Sequence, residues 1–240
     1  MHILVLSDIH SNLTALEKVL SVAGSFDAVW CLGDIVSYGP DPNECIAKVR
    51  ELPNLACVRG NHDAAVVGDV DQHTFNIEAS LAITWTKREL GADSQEFLLK
   101  LPETIVKDNV ILVHGSPRNP VWDYVMDYMT ALRMFQFFDT QICMLGHTHV
   151  PAYWVENETD SRSSFVLDFQ KKTIEGRVIL NPGSVGQPRD HDPRASFAIF
   201  DSEALTWELR RVEYDISSVQ ERIKKAGLPW RHAMRLHEGW

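Results

Sequence analysis

Three features of this 240-residue sequence predict an α/β fold. Apolar runs at 3–10, 28–34, 55–63, 110–115 and 142–149 are nearly continuous rather than alternating, as strands covered on both faces require. Amphipathic helical patterns separate the first three runs. Each run then stops at residues drawn from Asp, Asn and His.

The first run, "ILVLSDIH", reads as a central strand. In "NLTALEKVLSVAG", Asn12 or Ser11 can cap a helix whose apolar stripe is Leu13, Leu16, Val19 and Leu20, and Gly24 can end it. After "AVWCLGD", the segment "DPNECIAKVREL" offers Asp41 as N-cap, Pro42 at the first helical position and Glu44 to complete a capping box. The order βαβαβ predicts right-handed crossovers and a largely parallel sheet holding the five runs. Residues 70–105 are polar and helical, an insertion packed over the sheet edge. The segments "GRVILNPGS", "SFAIFD" and "TWELRRVEYD" read as later strands forming a second sheet packed on the first. A helix from 215 stops at Gly-Leu-Pro, and the tail "WRHAMRLHEGW" carries no assignable pattern, so His232 and His237 read as surface residues. With no repeat, low-complexity stretch or linker, residues 1–240 read as a single domain.

Composition narrows the function. A net charge of −10 argues against broad electrostatic binding to nucleic acid or an anionic membrane. The scattered Cys31, Cys45, Cys57 and Cys143 suit buried reduced thiols. The N-terminal apolar run is short and lacks a basic start, and no run approaches membrane-spanning length, so a cytoplasmic protein is expected. The sequons at Asn12 and Asn157 would then be irrelevant.

Ligands of open α/β sheets bind in the crevice outside the carboxyl ends of the strands. Asp8 and His10, Asp34, Asn61 and His62, His114, and His147 and His149 would meet there. In an extended chain, residues two apart point the same way, so His147 and His149 share a side. Gathering so many charged and imidazole groups is costly without a counter-ion. Carboxylate, imidazole and amide oxygen without Cys suit Mn, Fe or Zn.

Asp8-Ile9-His10, Gly33-Asp34, Gly60-Asn61-His62-Asp63, Val113-His114-Gly115 and Gly146-His147-Thr148-His149 follow one another in an order that resembles the calcineurin-like metallophosphoesterase superfamily. "NPGSVGQPRD" (181–190) looks like the loop of its small bacterial phosphodiesterase-like branch. The resemblance implies a four-layer α-β-β-α sandwich of two mixed sheets flanked by helices, and two divalent metal ions. Asp8, His10, Asp34 and His149 would hold one ion, and Asp34, Asn61, His114 and His147 the other, with Asp34 bridging. Such ions stand about 3.5–4 Å apart, which gives His147 and His149 one ion each.

The implied chemistry is in-line attack on phosphorus by a metal-bridging hydroxide, consistent with the absence of a nucleophile elbow or P-loop. His62 resembles the family's general acid, and Asp63 is placed to orient it. The substrate expected is a small-molecule or nucleotide phosphodiester. Phosphomonoesters and dinucleoside polyphosphates are alternatives within the class, and a catalytically silent interaction module of the same fold is the alternative outside it. That module predicts eroded ligands, whereas all seven positions are intact. Protein phosphatases of the superfamily carry Asp-Arg after the Gly-Asp motif. Here Ser37-Tyr38 stands instead, which removes a phosphate-binding Arg. Arg189 and Arg59 are candidates to compensate, and Tyr38, Trp122, Tyr124 and Tyr128 to line the mouth and stack on the leaving group.

If ligand histidines compete with protons for metal, activity should fall below about pH 6. A pH–rate profile checks this, and a rate that stays flat down to about pH 5 would contradict the site.

Overall fold

The computed structural model describes residues 1–156 and 171–240, so the sequon at Asn157 lies outside the described residues. β1 (His2–Leu6), β2 (Ala28–Cys31) and β3 (Ala56–Cys57) are parallel neighbours linked by α1 (Leu13–Val22) and α2 (Pro42–Arg50). Asn12 caps α1, its Oδ1 accepting from Ala15 N at 3.1 Å. It is buried, which closes that sequon. Asp41 precedes α2 but does not cap it with its side chain. The predicted capping box is replaced by longer-range bonds, since Asp41 accepts from Leu13 N and pairs with Arg222.

After α3 (Asn61–Val67), α4 (Ile77–Glu89) and α5 (Ala92–Leu99) pack against α2 and α3, as an insertion over the edge strand β3 should. The chain then enters β4 (Thr104–Lys107) and β5 (Val110–Val113), followed by α6 (Tyr128–Met134), β6 (Ile142–Met144), β7 (Ala152–Val155), β8 (Lys172–Thr173) and β9 (Val178–Asn181). β10 (Ala195–Asp201), β11 (Thr206–Val212), α7 (Ile216–Lys225) and α8 (Trp230–Glu238) complete it.

Two mixed sheets result, ordered β3-β2-β1-β10-β11-β8 and β4-β5-β6-β9-β7. The expectation that all five apolar runs share one sheet is therefore corrected. β5 and β6 belong to the second sheet, parallel to β9, while β10 and β11 return to the first, with β10 antiparallel to β1. A continuous apolar run reports that both faces are covered, and does not report whether helix or sheet covers them. Along β1, Ile3 and Val5 face the second sheet, packing with Trp30, Phe200, Leu112, Met144 and Leu180. Leu4 and Leu6 face the helices, against Leu16, Val19 and Ile46. α6 covers the outer face of the second sheet, with Met134 against Cys143 and Ile179. The layers are thus α-β-β-α. The unassigned tail is α8, which packs on α7 and α4 around Tyr38.

The four cysteines are free and buried. Among the described residues no helix is long and apolar enough to cross a membrane.

Phe200, fully buried and 5.7 Å from the Trp30 ring, fills the layer between the sheets. Phe200→Ala should cost about 3–5 kcal/mol in urea unfolding. A loss under about 1 kcal/mol would mean that the two sheets do not share this core.

Candidate metal centre

The parallel strands of both sheets run the same way into one crevice, and the loops at their carboxyl ends carry the predicted donors. The chain turns sharply there. Asp8, His10, Asp34, His147 and His149 all have left-handed backbone, with φ of 53°, 48°, 54°, 65° and 61°. Each such residue costs about 1–3 kcal/mol unless the surroundings impose it, and this strain gathers at functional sites. Two glycines admit the close approach of neighbouring loops. A Cβ on Gly60 would lie 2.1 Å from Asp34 Oδ1, and one on Gly146 would lie 1.9 Å from Ser7 Oγ.

Two buried donor groups form, Asp8/His10/His149 and Asp34/His114/His147, each with ligand atoms within 4.8 Å of one another. Asp34 Oδ2 stands between them, 3.6 Å from His10 Nε2 and 3.3 Å from His114 Nε2. Asn61 Oδ1 lies 3.2 Å from His114 Nε2.

Backbone carbonyls fix the imidazoles. Because a carbonyl can only accept, Nδ1–H of His10, His114 and His149 donates to Val36, Leu32 and Gln187, at 3.1, 2.8 and 2.6 Å. In His10 and His149 each Nε2 is then a lone pair aimed into the cluster, the tautomer a metal ligand needs, while His114 turns its Nε2 to Asp34 Oδ2. The Nε2 atoms of His10 and His149 face each other at 3.1 Å. Asp8 Oδ2 accepts from Ser7 Oγ and His147 N, while its buried Oδ1 and His147 Nε2 have no hydrogen-bond partner among the described residues. Acceptors pointed at acceptors in a buried site repel, and a divalent cation removes the mismatch. The residues therefore fit a metal.

The proton affinities respond to the same shortage of positive charge. Burial raises Asp8 to about 7, helped by the neighbouring Asp34. Burial alone would lower His114, but the adjoining Asp34 carboxylate outweighs it and lifts the imidazole to about 10. For Asp34 burial acts upward, and the facing His114 charge overrides it, holding the carboxyl well below its usual range. Burial keeps His10, His147 and His149 well below the ordinary imidazole value. Proton competition with metal therefore falls on Asp8 and His114, where the sequence reading assigned it to all four histidines.

The sequence of this chain from residue 1 to 204 matches the model of the calcineurin-like phosphoesterase superfamily domain. It is 40% identical to the uncharacterised protein MJ0912 of Methanocaldococcus jannaschii over 239 residues, covering 95% of this chain and 93% of that one. The chain belongs to the calcineurin-like phosphoesterase superfamily. A crystal structure of a metallophosphoesterase from Sphaerobacter thermophilus superposes with a TM-score of 0.92 at 45% identity, covering 100% of this chain and 99% of that one. The phosphodiesterase YfcE of Escherichia coli is 27% identical, covering 86% of this chain and 90% of its own. The chain is thus a metal-dependent phosphoester hydrolase of this superfamily.

Around the metallophosphoesterase centre, His62 is buried against His10, Tyr38 and Phe75, with ring centroids 5.1, 4.5 and 4.9 Å away, and its backbone N donates to Asp34. Asp63 does not touch the His62 imidazole. It accepts from the backbone N of Ile35, Val36 and Gly60 at 2.9, 3.2 and 3.1 Å, tying the Asp34 loop to the start of α3. The orienting role is corrected to that of a brace. Arg59 is likewise withdrawn from the substrate candidates, because its guanidinium pairs with Asp69 at 2.6 Å and Glu103 at 3.5 Å. Tyr38 is only 6% exposed and packs behind His10 and His62 instead of lining the mouth. Tyr128, the first residue of α6, is partly buried against the core on the outer face of the second sheet. Tyr124 is at the mouth, 51% exposed and stacked 3.8 Å from His147. Trp122 packs at a tilt on Phe75, ring centres 5.0 Å apart, and Phe75 in turn covers His62. Phe75, inside the insertion, carried no sequence signal for the site.

Metal binding at pH 8 should release a proton from His114, which holds one up to about 10 and must give up its lone pair. Affinity should rise about tenfold per pH unit in this range, more steeply below the Asp8 value where that carboxyl also takes a proton. Calorimetry in buffers of different ionisation enthalpy reads the release, and no proton uptake by buffer would contradict the raised proton affinity of His114.

Proposed function

We propose that this chain is a dinuclear-metal phosphodiesterase acting on small-molecule or nucleotide phosphoesters. The observation that carries the reading is the pair of three-donor groups meeting at Asp34 Oδ2. In this reading Asp8, His10, Asp34 and His149 hold one ion and Asp34, Asn61, His114 and His147 the other, with Mn, Fe or Zn suited to the donor set. Two such ions would supply a nucleophile from water at neutral pH and neutralise charge on the phosphoryl oxygens. The 1–240 chain then acts as one catalytic domain, cytoplasmic and without extended nucleic-acid contacts.

The chain's own residues do the rest. His62 donates a proton to the leaving oxygen. Burial pushes this imidazole down to about 4 in the free protein, and an arriving phosphate anion favours its charged form. Trp122 and Tyr124 flank the entry, where a planar leaving group can stack. Arg59, tied to two carboxylates, is not free to meet a second phosphate charge, which favours a singly charged diester over a monoester. The phosphodiesterase name of the YfcE relative supports the same choice.

Chelator-stripped protein should be inactive on bis(p-nitrophenyl) phosphate and regain activity with Mn²⁺ at two ions per chain. His62→Ala should lower kcat by about 10²–10⁴ on an alkyl diester, whose leaving group needs a proton, and far less on the p-nitrophenyl ester, whose leaving group does not. Equal losses on both would refute the proton-donor role. Diester hydrolysis that survives chelation, or none in the two-metal protein, would refute the reading as a whole.

A further inference from the structure

His62 is buried, and its Nδ1 has no hydrogen-bond partner among the described residues. The neighbouring Asp63 carboxylate is spent on the backbone N–H groups of Ile35, Val36 and Gly60. A side chain that must present a nitrogen to a leaving oxygen needs its ring plane fixed, because a small misplacement of a reacting group is costly. Here that task falls to packing.

The packing comes from two sides. Phe75, just ahead of α4 in the insertion, meets His62 edge to face at 4.9 Å and is backed by Trp122 at 5.0 Å. Tyr38 lies 4.5 Å from His62, tilted by 59°. Its backbone is left-handed, with φ of 64°, which a bulky residue keeps only where its surroundings impose it. Those surroundings include Arg189, whose Cζ lies 5.7 Å from the Tyr38 ring centre and whose Nη2 donates to Gln187 Oε1 at 2.9 Å.

They also include the last helix, although α7 and α8 lie beyond the residues matched by the superfamily model. His232, which the sequence reading left on the surface, is 1% exposed, and its ring lies 4.5 Å from that of Tyr38. Its Nε2 faces the Glu78 carbonyl of α4 at 3.3 Å, so Nε2–H is the donor and the ring is pinned to the insertion. Arg231 pairs with the Glu78 carboxylate at 3.3 Å, and at the far end of α8 the Gly239 carbonyl accepts from His191 N at 2.7 Å. The insertion and the C-terminal helix are thus tied to each other, and each sends a ring toward His62.

We infer that Phe75 and His232 are positioning residues for His62, Phe75 by direct contact and His232 through Tyr38, holding the imidazole toward the leaving oxygen where no hydrogen bond to Nδ1 does so. The inference rests on the proposed proton-donor role of His62 and deepens it. Two segments remote from the metal ligands in sequence then set how well the leaving group is protonated.

The test measures kcat of the Mn²⁺-loaded protein on diphenyl phosphate and bis(p-nitrophenyl) phosphate. Both are singly charged diaryl esters, and the phenoxide of the first needs a proton far more than the p-nitrophenoxide of the second. His232→Ala and Phe75→Leu should each lower kcat about tenfold on diphenyl phosphate and less than about threefold on bis(p-nitrophenyl) phosphate. His232→Phe, which restores a ring, should return diphenyl phosphate hydrolysis to within about threefold of wild type. In a His62→Ala background, His232→Ala should cost less than about twofold further, since it acts through the donor. Phe75→Leu carries the test should His232→Ala not fold. Equal losses on both esters with weakened Mn²⁺ binding would mean that the helix acts through His10, and would overturn the inference. An unchanged rate on diphenyl phosphate in both variants, or losses that add fully to that of His62→Ala, would overturn it too. If His62→Ala itself slows both esters equally, the proton-donor reading fails and the inference with it. If His62→Ala discriminates between the esters and the other variants do not, the reading stands and the inference alone falls.

Discussion

Six buried side chains, two carboxylates and four imidazoles, converge with their donor atoms turned inward, and much of the surrounding structure serves to hold them so. Asp34 is the point of contact between the two groups, reaching His10 and His114 with one oxygen and the backbone of His62 with the other. Left to itself such a cluster pushes apart or takes up protons. The raised proton affinities of Asp8 and His114 are that response, a proton standing where a metal cation fits better.

Rigidity in the loops keeps the cluster from relaxing. Left-handed backbone at five of the donors, carbonyls locking three imidazole tautomers, and the buried Asp63 carboxylate bonded to three backbone N–H groups remove the freedom by which the ligands could turn away. The two-sheet core beneath supplies the anchor, since each donor follows a strand, or a short strand extension, whose side chains are packed on both faces. Stability of the sandwich and geometry of the site are therefore one problem. Strain at the strand ends is carried by burial between the layers.

The rim is assembled differently. Phe75 comes from the helical insertion and meets His62, Trp122 from the loop after β5 meets Phe75, Tyr124 from the same loop meets His147, and His232 from the last helix meets Tyr38. Elements outside the ordered motifs thus shape the rim around His62, while the motif residues supply the donors of the cluster.

The sequence by itself determined the strands, the crossover helices and the ordered donors, because a buried strand needs an unbroken apolar run and a metal needs particular atoms at its end. Asp8, His10, Asp34, Asn61, His114, His147 and His149 were legible on that basis, and the structure brings all of them together. Which sheet each strand joins was decided only in the tertiary structure, since β5 and β6 look the same whether a helix or a sheet covers them. The same holds for side chains whose role depends on a distant partner. Arg59 is taken by Asp69 and Glu103, Asp63 turns to backbone instead of to His62, and His232 is drawn from an unpatterned tail into the wall behind Tyr38. Local spacing records what a residue can do, whereas long-range packing selects which of its possible partners it meets.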